Sequence, residues 1–359
     1  MHLGLPALMA FYRQHQDDDA LVLATIIGTN GSTYRKPGAM MLVARDGSFE
    51  GLISGGCLEN DLVEHARGVF ESGKPRHLTY DMHADEALVW NLGIGCDGVI
   101  HLLLLRLDRA MSFGFLPLLE DCQDSRREAL LALVTNSVDQ PTTGSFALLD
   151  SNDISIGDQH LVGILHQEAI QWPRWRTRLR QVSGADSPGE ILLLRLPPPA
   201  RVLICGAGPD AVPLARILSD LDWDVVLVDH RPAYARADRF PASCAVREAR
   251  PDRLSESIDL DSLDAAVIMS HHLENDAEYL RQLAGRPLPY LGVLGPVARR
   301  KRLREMAGCG ERRVFGPVGL DIGAELPEAI ALSIAAEIHA VLNDRDGLSL
   351  TKQLDEAHE

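Results

Sequence analysis

The chain has 359 residues, 46% hydrophobic and 24% charged, which is ample for a sizeable core and more than a single core usually accommodates, so two domains are expected. Its 35 basic and 51 acidic residues give a net charge of −16, which disfavours extended nucleic-acid binding and attachment to anionic membranes as whole-molecule properties. Six scattered cysteines with no CxxC pair, an N-terminus without signal-like features and no apolar run of membrane-spanning length lead us to expect a soluble protein of the reducing cytoplasm, with zinc poorly supported.

After an opening helix-like segment, Leu21 to Ile27 reads as a buried strand and Gly38 to Ser54 as a hairpin turning at Asp46-Gly47. Leu62, Val63, Ala66, Val69 and Phe70 then recur on one helix face, and Gly73 with Pro75 ends the pattern. Val99 to Leu107 is strand-like, Ser112 to Leu133 is expected to be helical, and Ser145 to Leu149 and Glu190 to Leu196 are expected strands. Residues 150 to 188 show no decisive pattern, and no internal repeat is clear enough to use.

Pro197-Pro198-Pro199 favours an extended spacer and is the expected junction between a domain over 1–196 and a second over 200–345, with a polar tail at 346–359. Beyond it, Arg201 to Cys205, Asp224 to Val228, Ala265 to Met269 and Tyr290 to Leu294 read as strands, with a helix over Val212 to Leu221. Alternating strand and helix predict an α/β protein whose C-terminal domain is a Rossmann-like parallel sheet with right-handed crossovers, preceded by an N-terminal α+β domain.

The densest candidate chemistry is Ser54-Gly55-Gly56-Cys57-Leu58-Glu59. The glycines permit a tight turn, and the helix that follows places a positive dipole end beside Cys57, a setting that favours a thiolate. Upstream, Gly31-Ser32-Thr33-Tyr34-Arg35-Lys36-Pro37-Gly38 is a second punctuated loop, in which Arg35 and Lys36 could neutralise an anion. In the C-terminal half, Gly206-Ala207-Gly208-Pro209-Asp210-Ala211 follows a strand and opens a helix. Asp229 closes the next strand at roughly the 20-residue spacing of a dinucleotide fingerprint. Asp210 would repel a pyrophosphate there unless it turned away or capped the helix. His271, after a further strand, is a candidate ligand contact or proton carrier, and the loop from Gly316 to Glu325, with Gly319 and Asp321, is either ligand-facing or a set of tight structural turns.

Four stretches taken together, namely Gly31 to Gly38, Ser54 to Glu59, the Gly206 to Ala211 loop with Asp229-His230-Arg231, and Gly316 to Glu325 running into Ser333 to Ile338, resemble the XdhC/CoxI family of accessory proteins of molybdenum hydroxylases. The resemblance implies a non-catalytic or weakly catalytic chaperone that binds the molybdenum–pterin cofactor as cargo, protects it during sulfuration and delivers it to a hydroxylase such as xanthine dehydrogenase. Cys57 would contact the molybdenum or carry sulfur, with Cys96 as a second family cysteine. Arg35, Lys36, Ser54, Gly55, Gly56 and Glu59 would border the cofactor in one half, and Gly206, Gly208, Asp229, His271, Gly319 and Asp321 in the other. This chain has Asp97 where many relatives carry glycine, and Gly295-Pro296 where many carry Gly-Ser.

The expected partners are a molybdenum hydroxylase of xanthine dehydrogenase type and a cysteine desulfurase, with a homodimer left open. The competing function is an NAD(P)-dependent oxidoreductase using Gly206, Gly208 and Asp229, which lacks an accompanying acid/base constellation. The three glycine-rich loops at 31–38, 54–57 and 316–323 are expected to border one cleft.

Overall fold

The computed structural model describes residues 4–82, 98–137, 142–169, 178–182, 189–349 and 351. The chain divides into two compact units, Met1–Pro198 and Pro199–Glu359.

In the first unit, helix α1 (Leu5–Gln14) leads into strands β1 (Ala20–Gly31), β2 (Met40–Val43) and β3 (Phe49–Glu50), then helix α2 (Glu59–Ser72) and strands β4 (Arg76–Asp81) and β5 (Gly98–Asp108). These strands form an antiparallel sheet in the order β3-β2-β1-β5-β4. The sequence then runs through α3 (Leu116–Asp124), β6 (Ala129–Asn136), β7 (Phe146–Asp150), β8 (Ser155–Gly157), α4 (Gln159–Ala169), β9 (Arg178–Val182) and β10 (Gly189–Leu196). Its sheet is also antiparallel, in the order β8-β7-β6-β10-β9. Strand for strand the second order repeats the first, so among the described residues the unit is a duplicated α-βββ-α-ββ arrangement. The repeat lies in topology, which is why the residue pattern offers none.

Period-two alternation sorts each strand between two cores. From β1, Leu21 and Leu23 join α1, α3 and the inward leucines of the second sheet, Leu131, Leu133, Leu192 and Leu194. Val22, Ala24 and Ile26 face Leu62, Ala66 and Phe70 of α2. On the outer face of the second sheet, Leu130, Ala132 and Val134 pack with Leu161 and Leu165 of α4.

This double burial corrects the helix expected over Ser112 to Leu133. The helix is confined to Leu116–Asp124, Arg126 has a positive φ of 55°, and Ala129–Asn136 is a strand. A strand buried on both faces reads as an unbroken apolar run, which periodicity does not separate from a buried helix. Each fully buried leucine contributes about 1.5–3 kcal/mol, well above the at most ~0.7 kcal/mol per residue that helix propensity can weigh against it.

The second unit contains β11 (Arg201–Cys205), α5 (Ala211–Asp220), β12 (Asp224–Asp229), β13 (Ala245–Glu248), β14 (Ala265–Ile268), α6 (Leu273–Ala284), β15 (Tyr290–Val293), α7 (Val297–Ala307) and α8 (Pro327–Leu342). All neighbours pair in parallel, in the order β13-β12-β11-β14-β15, as the alternating pattern predicts. Val202 and Ile204 pack with Leu214 and Leu218 of α5 and Ile334 and Ile338 of α8. Leu203 and Cys205 meet Leu280 and Leu283 of α6 and Leu303 of α7 on the opposite face. Helices therefore cover both faces, which leaves the carboxyl ends of the strands as the place where polar side chains gather.

Candidate functional site

The loop before α2 is organised by one side chain. Glu59, the first residue of that helix, is buried, and its Oε1 accepts hydrogen bonds from the amides of Ile53 (2.9 Å) and Ser54 (2.8 Å). Its Oε2 accepts from the Ser54 hydroxyl (2.8 Å) and the amides of Gly56 (3.0 Å) and Leu58 (3.2 Å). The Ser54 oxygen accepts in turn from the amides of Cys57 (3.1 Å) and Leu58 (2.7 Å). Burial opposes the charged form of Glu59, but the Ser54 amide and hydroxyl and the Ile53 amide outweigh it and hold the carboxyl below the usual range. The amides at 53, 54, 56, 57 and 58 are thus engaged within the loop by Glu59 and Ser54.

Gly55 and Gly56 have φ of 87° and 107°, which a side chain rarely adopts, and both are exposed. Cys57 is half-buried against the core shared with α2. The 31–38 loop comes to the same place, because the ring of Tyr34 packs on Gly55. Within that loop Thr33 is buried and its hydroxyl donates to the Arg35 carbonyl (2.9 Å), while Arg35 is half-buried and Lys36 exposed. The structure therefore joins Arg35, Lys36, Ser54, Gly55, Gly56, Cys57 and Glu59 in one locality. Cys96 lies outside the described residues. Tyr34 is the residue that motif reading passes over, and its signal is an aromatic side chain inside a glycine-bounded polar loop.

At the carboxyl edge of the parallel sheet, Gly206 has a φ of 113°, and a Cβ there would stand 2.6 Å from the Met269 carbonyl oxygen. Only glycine lets β11 leave the sheet this close to β14. Asp229 is 1% exposed, and its Oδ2 accepts from the Ala207 amide (2.9 Å) and Arg231 Nη2 (2.7 Å). Its Oδ1 accepts from the Arg231 amide and Nε, both at 2.9 Å. Burial again opposes ionisation, but the Arg231 guanidinium and the two amides hold the carboxyl below its usual range.

Gly208 leads into α5 and has Asp210 Oδ1 beside it. Asp210 makes no side-chain capping bond; its Oδ2 instead lies 2.7 Å from Nε2 of His271, an exposed residue with a positive φ of 63°. Next to them, buried Asp276 accepts from the Ser270 hydroxyl (2.5 Å) and from Arg299 Nη2 (2.7 Å). Arg299, in the first turn of α7, is thereby committed to an internal pair.

A dinucleotide in the usual Rossmann pose needs the carboxylate after the second strand to accept from ribose hydroxyls. A carboxylate offers about four acceptor positions, and Asp229 has all four occupied by Ala207 and Arg231. Pro209 also removes one loop N–H, and Asp210 adds negative charge beside it. These residues as arranged do not fit NAD(P) in that pose.

Gly319, with a φ of 103°, donates its amide to Glu337 Oε2 (2.9 Å), which also accepts from the Tyr290 hydroxyl (2.6 Å). A Cβ on Gly319 would lie 2.2 Å from Ser333 Oγ, so the loop is pressed against α8, while Asp321 is exposed. Gly319→Ala is expected to destabilise this unit by about 1–3 kcal/mol through overpacking and the unfavourable φ, read as a lower midpoint of chemical denaturation. A cavity of about 590 Å3 lined by Leu105, Leu107, Met111 and Phe146 lies in the first unit and includes none of the residues singled out from the sequence. Among the described residues there is no group of His, Cys, Asp and Glu that could hold a metal ion, and no helix long and apolar enough to cross a membrane.

A duplicated α+β unit that presents a cysteine on a glycine loop, joined to a Rossmann-type parallel sheet, defines a two-part class of protein. Residues 15–81 match the XdhC and CoxI family and residues 202–338 match the XdhC Rossmann domain. The chain belongs to the XdhC and CoxI family. It is 32% identical to a probable xanthine dehydrogenase subunit of Bacillus subtilis (strain 168), over 94% of this chain and 96% of that protein. It is 25% identical to the molybdenum cofactor insertion chaperone PaoD of Escherichia coli (strain K12), over 89% of this chain and 83% of that one. A crystal structure described as that of a xanthine dehydrogenase from Bacillus halodurans superimposes with a TM-score of 0.77 at 29% identity, covering 98% of this chain and 99% of the other.

Proposed function

We propose that this protein is an accessory factor that holds the molybdenum–pterin cofactor as cargo, shields it while a cysteine desulfurase supplies sulfur, and passes it to a molybdenum hydroxylase of xanthine dehydrogenase type. The observation that carries the reading is the Glu59-braced loop, which spends its own amides on holding shape and carries Cys57 next to two exposed glycines, on the first of which the loop of Arg35 and Lys36 packs through Tyr34. A soft sulfur ligand suits molybdenum or a persulfide sulfur, and the two cations suit the cofactor's anionic groups. The similarity to a protein named as a molybdenum cofactor insertion chaperone supports the same reading. A cytoplasmic setting belongs to this reading, because a thiol that holds the cofactor or carries sulfur has to be kept reduced. The oxidoreductase alternative is disfavoured by the occupied acceptors of Asp229.

Cys57→Ser tests the proposal. Purified from cells that make the cofactor, the variant is expected to retain at least about tenfold less pterin than the parent and to activate an apo-hydroxylase correspondingly less. That factor corresponds to about 1.4 kcal/mol of lost interaction. Conservative replacement of Cys122, Cys205 or Cys244, which are buried, is expected to leave retention unchanged in protein that folds. Full retention and activation by Cys57→Ser would remove the residue from the site.

A further inference from the structure

We propose that Tyr34 is an aromatic shelf on which the planar pterin ring of the cargo stacks beside Cys57. The proposal rests on the cofactor-holding reading above and assigns a contact that the sequence motifs do not.

A Cβ placed on Gly55 would lie 3.6, 3.6 and 3.7 Å from Cδ1, Cε1 and Cδ2 of Tyr34. A point equidistant from three atoms of a six-membered ring lies on the ring's axis. Gly55 therefore backs a face of the ring and not its edge. Tyr34 is nonetheless 61% exposed, so the opposite face is open. The chain has six tyrosines; Tyr12, Tyr80, Tyr279 and Tyr290 are buried, and Tyr234 lies under the guanidinium groups of Arg231 and Arg239. Tyr34 alone among them presents a large free aromatic surface.

Its position is fixed by its surroundings and not by a partner of its own. Thr33 on one side is buried and bonded to the Arg35 carbonyl, and the Gly55 backbone closes one face. An aromatic ring held in this way loses little freedom when a flat ligand covers it, and stacking of a heterocycle on such a ring is a substantial share of binding. Chain reach puts the Cα of Cys57 within about 7 Å of Gly55, so a heterocycle on the shelf has the thiol at one margin. Arg35 and Lys36 follow Tyr34 directly in the chain, which puts two cations within reach of anionic substituents of the same ligand. The planar group on the shelf is the pterin; the base of a nucleotide-extended form of the cofactor offers the same stacking chemistry, and the test separates the two.

Full-length protein and its Tyr34→Phe, Tyr34→Leu and Tyr34→Ala variants are dialysed to equilibrium against nucleotide-free molybdopterin, with pterin measured after oxidation to its fluorescent form. Because the side chain is exposed, all variants are expected to melt like the parent. Tyr34→Phe, which keeps the face, is expected to bind as the parent does. Tyr34→Leu and Tyr34→Ala are expected to bind roughly ten- to a hundredfold more weakly, and a nucleoside diphosphate is expected not to compete. Unchanged binding by Tyr34→Leu and Tyr34→Ala, or equal loss in Tyr34→Phe, overturns the shelf. Competition by the nucleoside diphosphate that Tyr34→Ala abolishes, with pterin binding unaffected, moves the shelf to the nucleobase and also overturns it. If the parent binds no pterin at all, the cofactor reading itself fails, which is a different result from binding that ignores Tyr34.

Discussion

Glu59→Ala is expected to unfasten the entire 53–58 loop while leaving the core of its unit folded. One carboxylate accepts five hydrogen bonds, from three different loop amides beyond Ser54 and from both the amide and the hydroxyl of Ser54. Removing it strands these donors. Those at Ser54 and Gly56 can turn to water because their residues are partly or fully exposed, and the Leu58 amide keeps its 2.7 Å bond to the Ser54 oxygen, but the Ile53 amide belongs to a buried residue. A buried donor left unpaired costs about 1–3 kcal/mol, so a loss of that size is expected from the Ile53 amide. Hydrogen exchange on the loop amides should rise before global unfolding, and cofactor retention should fall as in Cys57→Ser. A variant with parental exchange at 53–58 would show that the loop does not depend on Glu59.

Asp229→Ala is expected to act on the second unit with similar force. The substitution leaves the Ala207 amide without its acceptor, which costs about 1–3 kcal/mol, while Arg231, whose side chain is 37% exposed, can turn to water. For a unit of this size each kilocalorie lowers the melting temperature by roughly 2–4 °C, so a fall on the order of 5 °C is expected. Both carboxylates also couple stability to pH. Each is held below its ordinary range in the folded chain, so its contribution is complete above the unfolded values of about 3.9 for Asp and 4.3 for Glu, and is lost as pH falls through the lower folded values. Acid titration of the parent should therefore show a loss of stability in that window, smaller in each variant by the share of the missing group.

The parallel sheet is legible in the sequence because its signals are local. An apolar strand, a glycine turn and a helix start recur in order at Arg201 to Ala211, and each places the next. The Cys57 loop is legible for the same reason. What pattern reading does not supply is the direction of the polar side chains. Glu59 and Asp229 both stand where an acid near a glycine loop suggests ligand contact, and both turn inward to satisfy backbone amides, because buried N–H groups must find acceptors and these are the nearest. The helix expected across Ala129 to Leu133 fails on a long-range cause, since only packing on both faces of the sheet decides that such a run is a strand. Tyr34 escapes a motif search because exposure of one face is a property of the folded surface.

The duplicated order of the first unit bears on ancestry. Two successive segments that share one strand order, with a common core between them lined by Leu21, Leu103, Leu131 and Leu192, have the form expected when a gene for half the unit was copied and joined in tandem. The half-length ancestor would have exposed that leucine face, and two identical copies would have had to cover it. Fusion would have made the halves permanent companions and released them from being identical. The first half elaborated the Ser54 to Glu59 turn between its third strand and its helix, whereas the second joins the same two elements through Asp158, whose carboxylate accepts from the His160 and Leu161 amides.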